Sequence, residues 1–208
     1  MGIRIVRIAP AHAAQARTVI ARAFVEDPLL VWLFPAAERT LEERLDAVAL
    51  FYGPTVDAYA AAGTGHVALD GETVVGTGLW GLPGGARGGA PGGGAALLPT
   101  GAGVARIVLG DRAADLGAGL RAARGDAPVP QLPYLHDLAV SAQLRGQGIG
   151  ARLVEAGLAD FGADGAWLES TNPRNHTLYE RTGFRAEHAG EVADSGVTMT
   201  RMVLRPGA

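Results

Sequence analysis

The sequence predicts an α/β or α+β domain built around a mixed sheet, and three observations carry that expectation. Segments with the two-residue alternation of a half-buried strand recur along the chain. Segments with apolar residues at helical spacing separate them. A two-residue hairpin signal joins two of the strands. The expected order is β-α-α-α-β-β-α-β-α-β-α-β-β, in a single domain spanning residues 1–208.

The first element, "IRIVRIAP", alternates apolar and polar residues and reads as a strand. After Pro10, "AHAAQARTVIARAF" is alanine-rich with helical spacing, and "DPLLVWLFP" reads as a short apolar helix capped by Asp27, with Pro28 at its first position and Pro35 at its end. "ERTLEERLDAVALFYGPTVDAYAAA" is a long amphipathic helix with a candidate kink at Gly53-Pro54. "GHVALD" and "TVVGTGLWG" read as strands joined at Asp70-Gly71. Glycine and proline crowd Gly81 to Gly103, which reads as a loop, either an unstructured insertion or a lid. "VARIVLGDRAADLGAGLRAAR" reads as one further helical stretch. "YLHDLAV" is a strand, "GIGARLVEAGLADFG" a helix and "GADGAWLEST" a short strand. "NPRNHTLYERTG" has helix-starting chemistry, with Asn172 as cap and Pro173 next, and stops at Gly183. "FRAEHAGEV" and "VTMTRMVLR" close the chain as strands.

Composition narrows the function. The chain has 208 residues, 48% hydrophobic and 19% charged, which is the balance of a soluble globular protein. A net charge of −3 supplies no basic footprint for nucleic acid. The absence of cysteine excludes disulfides, thiolate nucleophiles and cysteine-ligated metal. All 18 basic residues are arginine, as codon bias in a GC-rich genome would produce. With no signal-like h-region and no long apolar run, the expectation is a cytoplasmic protein with no membrane partner and no bound metal.

The most informative stretch is "LAVSAQLRGQGIGARLV", where Gly146, Gly148 and Gly150 stand at the start of a helix. Each glycine inside a helix costs about 1 kcal/mol relative to alanine. The amides of a first helical turn have no partner within the helix and lie at the positive end of its dipole. Glycines there let phosphate oxygens approach the backbone, and Arg145 adds a cation, so the loop reads as a pyrophosphate cradle. It is not a Walker loop, which needs a lysine, and it lacks the spacing and position of a dinucleotide fingerprint. A glycine-rich connection that binds nothing is the alternative reading. Leu153, Val154, Leu158 and Phe161 form the stripe that packs this helix on the sheet.

Two motifs together resemble the GNAT superfamily of acyl-CoA-dependent N-acetyltransferases. "LAVSAQLRGQGIGARLV" is similar to that family's [QR]-x-x-G-x-[GA] loop after the fourth strand, and "NPRNHTLYERTGF" to its helix after the fifth. The segments "AFVEDPLLVWLFP", "ERTLEERLDAVALFY" and "MTRMVLRPGA" resemble in layout the puromycin N-acetyltransferase branch. The resemblance implies a mostly antiparallel sheet of about seven strands, flanked by helices, whose fourth and fifth strands splay apart. It implies acetyl-CoA as cosubstrate. The pantetheine arm would meet the backbone of Leu138, Ala139 and Val140. The pyrophosphate would meet Arg145, Gly146, Gln147, Gly148, Ile149, Gly150 and Ala151, with Asn172 or Asn175 contacting the arm.

By the same resemblance, Tyr179 is the general acid near the coenzyme sulfur, although a tyrosine on an amphipathic helix can equally be packing. A backbone N–H near Leu138 is the implied oxyanion donor. The base must accept a proton from the amine. "YLHDLAV" resembles the "HLHALAV" strand of the serotonin N-acetyltransferases, and His136 falls on the second of its histidines. A pKa near 6.5 suits that task, while a histidine merely hydrogen-bonded on the sheet is the alternative. Strict alternation puts Tyr134, His136, Leu138 and Val140 on one face, and Leu135, Asp137 and Ala139 on the other. Asp137 is then a candidate counter-ion for the amine, with Glu26, Asp27 and Glu169 as further acidic candidates. Trp32, Phe34, Phe51, Tyr52 and Trp80 are core residues or an apolar wall for the acceptor.

The expected function is transfer of an acetyl group to the amine of a small molecule, an antibiotic or other metabolite. The alternatives are an acyl-CoA-binding sensor without catalysis, a protein or peptide N-acetyltransferase, and an O-acetyltransferase. The expected assembly is a monomer or homodimer.

Overall fold

The computed structural model describes residues 2–84 and 101–206. Seven strands form one sheet: β1 (Arg4–Arg7), β2 (Gly65–Asp70), β3 (Thr73–Gly81), β4 (Tyr134–Val140), β5 (Ala166–Ser170), β6 (Arg185–Glu191) and β7 (Thr198–Leu204), in the order β1-β2-β3-β4-β5-β7-β6. All neighbours are antiparallel except β4 and β5. That parallel pair holds only through Tyr134↔Trp167 and Leu135↔Leu168, after which the strands part. A mixed, mostly antiparallel sheet with splayed fourth and fifth strands is therefore what the chain builds.

The described helices are α1 (Ala13–Phe24), α2 (Pro28–Leu33), α3 (Leu41–Ala62), α4 (Gly101–Leu109), α5 (Arg112–Arg124), α6 (Ile149–Phe161) and α7 (His176–Arg181). Asp27 caps α2 by accepting from the Leu29 amide at 3.0 Å, with Pro28 at the first position, as its sequence predicts. Thr40 and Glu43 make a reciprocal capping box for α3. Pro54 stands inside α3 without ending it. The asparagine cap at Asn172 holds, but Pro173–Asn175 form a 3-10 turn and only His176–Arg181 are α-helical.

Three expectations change. The stretch from Val104 to Arg124 is two helices, because Gly110 takes a left-handed φ of 57° and breaks the run. The expected loop from Gly81 to Gly103 is shorter at both ends: Gly81 ends β3 and Gly101 opens α4. Residues 85–100 of it lie outside the described residues. The hairpin turn is Gly71-Glu72, with Asp70 still paired to Thr73.

Helices cover both faces of the sheet. On one face α1 and α3 bury Val19, Ile20, Val56 and Tyr59 against Val67, Leu79 and Ala139. On the other, Leu153 and Val154 of α6 pack against Ala68, Trp80 and Leu135, with Leu158 and Phe161 alongside. Trp80 thus lies wholly buried under α6. Phe34 is also fully buried, between α2 and α3, so neither is an acceptor wall; Trp32, Phe51 and Tyr52 are partly buried beside it.

The contact between α6 and Trp80 is close enough to test. A Cβ on Gly157 would stand 2.0 Å from Trp80 Nε1. The indole is enclosed and cannot swing away, so Gly157→Ala forces a shift of helix or ring. The expected cost is about 1–3 kcal/mol, read as a lower denaturant midpoint with unchanged slope. An unaltered midpoint would contradict this packing.

Candidate active site

Where β4 and β5 part, a cleft of about 620 Å³ opens. Its walls are β4 and the start of α6 on one side, and the β5–α7 connection with α7 on the other; the end of α1 and the residues before α2 close it over. Leu138, Ala139, Val140, Arg145, Gly146, Gly148, Ile149, Gly150, Ala151, Asn172, Asn175 and Tyr179 all line it. Gln147, His136 and Asp137 do not.

The backbone of β4 supplies the first contacts. The Ser141 amide donates to Val75 on β3 at 2.8 Å. Alternate residues of an antiparallel strand turn their polar groups to opposite neighbours. Leu138 and Val140 therefore aim their N–H and C=O groups away from β3, into the opening where β5 has already left. Ala139 turns its backbone to β3 and its side chain into the α1–α3 core.

The three glycines have different tasks. Gly146 and Gly148 adopt left-handed φ angles of 78° and 76°, and nothing lies within 4 Å of where their Cβ atoms would be. They are required by the turn. Gly150 is an ordinary helical residue whose Cβ would meet Leu178 Cδ2 of α7 at 3.2 Å; it permits close packing of α7 on α6. Gly148 is also the N-cap, and having no side chain it leaves the amides of the first turn of α6 uncapped. These amides face the cleft beside Arg145, whose Nη2 donates to the Ala23 carbonyl at 3.3 Å. Arg174 and Arg181 line the opposite wall and add positive charge that the sequence reading did not include. Open amides, a helix dipole and three guanidinium groups fit the diphosphate of coenzyme A.

Behind the cleft lies a cluster of titratable groups. Strict alternation fails on β4, because the register with β3 slips: Leu79 pairs with Asp137 and Trp80 with Leu135, leaving His136 as the extra residue of a β-bulge. Leu135 consequently packs with Val154 toward α6, while Asp137 joins His136 on the α1–α3 face. The His136 Nδ1 lies 2.9 Å from Asp137 Oδ2. A carboxylate only accepts, so Nδ1–H is the donor and Nε2 carries the free lone pair of the neutral ring. Burial alone would lower the His136 pKa, but the charge and hydrogen bond of Asp137 outweigh it and the net shift is upward. The rings of Tyr59 and Tyr134 stand 5.5 and 5.4 Å from the imidazole.

Tyr179 is buried on α7, edge-on to Phe184. Burial first, then the charges of Asp137 and Asp27, push its phenol well above the ordinary range. Tyr52 is raised by the same causes, so it stands near the same two carboxylates. Asp27 does more than cap α2: its Oδ1 accepts from Thr171 Oγ1 at 2.9 Å, and burial raises its pKa despite that bond. Glu26 lines the cleft and pairs with the buried Arg44 at 3.2 Å. Glu169, an acidic candidate, is engaged elsewhere: Arg124 and Arg201 hold both its oxygens. Among the described residues no cluster of three or more His, Cys, Asp or Glu could hold a metal, and no helix is long and apolar enough to cross a membrane.

Known proteins share this fold. The family model for the acetyltransferase (GNAT) domain matches residues 102–186. No curated protein matches the sequence. The chain is similar to a solved structure described as histone acetyltransferase HPA2 and related acetyltransferase from Corynebacterium glutamicum, at 25% identity and a TM-score of 0.66, covering 100% of this chain and 98% of that one. It shares a fold with a polyamine N-acetyltransferase of Drosophila melanogaster, described as catalysing formation of N-acetylagmatine, at 18% identity and a TM-score of 0.55 over 98% and 100% of the two chains. It shares a fold also with a mosquito arylalkylamine N-acetyltransferase-like protein, 5b, at 14% identity and a TM-score of 0.55 over 98% and 100%.

The cradle can be tested at Gly148. Alanine fits the open space but not the left-handed backbone, at a cost of about 1–2 kcal/mol. Gly148→Ala is expected to lower stability by that amount and to weaken coenzyme A binding in calorimetry, because the turn must move the amides it presents. Unchanged affinity would show that this turn does not hold the diphosphate.

Proposed function

The chain belongs to the GNAT superfamily of acetyltransferases, and on that footing we propose that it moves an acetyl group from acetyl-CoA to the amine of a small molecule by direct transfer. One observation carries the reading: the open amides at the start of α6, the outward-facing backbone of Leu138 and Val140, and Tyr179 line one cleft, with the His136–Asp137 pair behind it on the same strand as Leu138. Small amines are the acceptors named for the Drosophila and mosquito proteins that share the fold. The carboxylates of Asp27 and Asp137, near Tyr52 and Tyr179, favour a cationic group over a neutral hydroxyl.

Bound acetyl-CoA supplies the acetyl group as a thioester, so the new C–N bond forms as the C–S bond breaks and the sulfur departs as a thiolate. The chain's own residues handle the protons. The acceptor arrives as an ammonium ion and must lose one proton to attack and a second to end as an amide. Nε2 of His136 takes a proton, and the Asp137 carboxylate holds the ring in the tautomer that leaves Nε2 free and stabilises the imidazolium that results. Tyr179 gives its hydroxyl proton to the sulfur; a phenol held above its ordinary pKa stays protonated at neutral pH and so remains a donor. The phenol regains a proton afterwards, and the balance is one proton released per amide formed. The N–H of Leu138 is placed to donate to the carbonyl oxygen as its charge grows.

Three substitutions test these roles. Tyr179→Phe is expected to lower kcat by about 10²-fold or more, with coenzyme A affinity little changed. For His136 the sign follows from its raised pKa. The base works unprotonated, so the acidic limb of the rate profile lies above the ordinary histidine value of about 6.5. Asp137→Asn removes what raises it, and the limb moves to lower pH; His136→Ala abolishes or displaces that limb. A profile identical in all three proteins would refute the assignment of the base. Thiol release with amine and peptide panels separates small-molecule from peptide acceptors, and tight coenzyme binding with no turnover would favour a sensor.

A further inference from the structure

The β5 lip of the opening carries charge that the acetyl-transfer chemistry does not use. Two residues beyond the paired Tyr134 and Trp167 come His136 on β4 and Glu169 on β5, on the same face of the sheet and across the parting strands. Glu169 is 4% exposed in its side chain and is gripped from two sides. Arg201, 3% exposed, reaches it at 3.2 Å and spends its other amino group on the carbonyls of Ala127 and Pro128. Arg124 reaches it from the end of α5 through Nε, at 3.0 and 3.1 Å, and through Nη2 at 2.6 Å.

Arg201 alone would neutralise Glu169. The second guanidinium leaves a surplus of one positive charge, and it resides on the more accessible group: the Arg124 side chain is 36% exposed, and its Nη1 makes no hydrogen bond among the described residues. Its charge reaches both Tyr134 and His136, where it opposes the larger influence of the Glu169 carboxylate. The two lips thus differ in character. The β4 lip offers an imidazole backed by the buried Asp137 carboxylate; the β5 lip offers a guanidinium with a free donor edge. An acceptor with only positive charge leaves the Arg124 donor edge unpaired, whereas one carrying a carboxylate satisfies both lips.

We propose that the acceptor is an amine that also bears a carboxylate, as an amino acid does, with its nitrogen at His136 on the β4 lip and its carboxylate at Arg124 on the β5 lip. This rests on the acetyl-transfer reading above and adds the acceptor's second charge. Arg124 is then a specificity-determining residue, and the guanidinium–carboxylate pair supplies a strong, directional contact that a carboxylate-free amine cannot make.

The test compares matched acceptors with acetyl-CoA: L-phenylalanine against L-phenylalaninamide and 2-phenylethylamine, and L-ornithine against putrescine, each by thiol release. The wild-type protein is expected to favour the carboxylated member in kcat/KM by about tenfold or more. Arg124→Gln is expected to collapse that ratio toward unity, and Arg124→Lys, which keeps the charge but not the paired donors, to retain part of it. Where Arg124→Gln fails to fold, the wild-type ratio and the lysine variant carry the result. Equal or better use of the carboxylate-free amines, or a ratio untouched by both substitutions, overturns this inference while leaving acetyl transfer standing. No acetylation of any acceptor overturns the transfer reading and this inference with it.

Discussion

Everything the site does depends on a hydrogen-bond ladder that stops early. β4 and β5 pair over two residues and then separate. Backbone donors and acceptors left without partners inside a protein are costly, about 1–3 kcal/mol each when buried, so the parting is held open by something stronger than preference. β4 remains laddered to β3 on either side of the His136 bulge, and β5 to β7 along its length. Each strand is thus anchored on its outer side, and the inner edges cannot close without breaking those ladders. What remains is a strip of peptide groups at Leu138 and Val140 that an extended amide-bearing chain can complete, in the manner of an added strand.

The same parting concentrates charge. A bulge at His136 turns two consecutive β4 side chains to one face and makes the imidazole–carboxylate pair possible. Opposite it, the buried Glu169 is surrounded by two guanidinium groups. Burying a carboxylate without such partners costs several kcal/mol, so the arginines are a structural necessity first. That necessity places a guanidinium surplus beside the base. Burial, reinforced by the charges of Asp137 and Asp27, keeps the phenols of Tyr52 and Tyr179 protonated and so able to donate.

Much of this was legible in the sequence where local chemistry decides structure. Asp27-Pro28 marks a helix start because capping needs only a side chain within three residues. The glycine loop could be located because a turn with left-handed backbone at Gly146 and Gly148 must use residues that tolerate it. What escaped was decided at long range. The bulge at His136 has no glycine or turn residue to announce it; it follows from the register against Leu79 and Trp80. Glu169 looked like a free acid because Arg124 lies 45 residues away in the chain and Arg201 lies 32 away. Trp80 was open between core and acceptor wall, and Gly157, a gap visible only once α6 is docked, receives it in the core.

The opening is also bridged from outside the sheet. The segment from the end of α1 to the start of α2 touches both lips: the Ala23 carbonyl accepts from Arg145 on the glycine loop, and Asp27 accepts from Thr171 just past β5. Neither bond involves the strands' own ladders, so the two lips are also bridged by a short connection that Arg44 fixes to α3 through Glu26 and the Val25 carbonyl. A diphosphate bound at Arg145 would compete with Ala23 for the same guanidinium, and a cationic acceptor would compete with Thr171 for Asp27. Each substrate thereby loosens one end of the connection that spans them both.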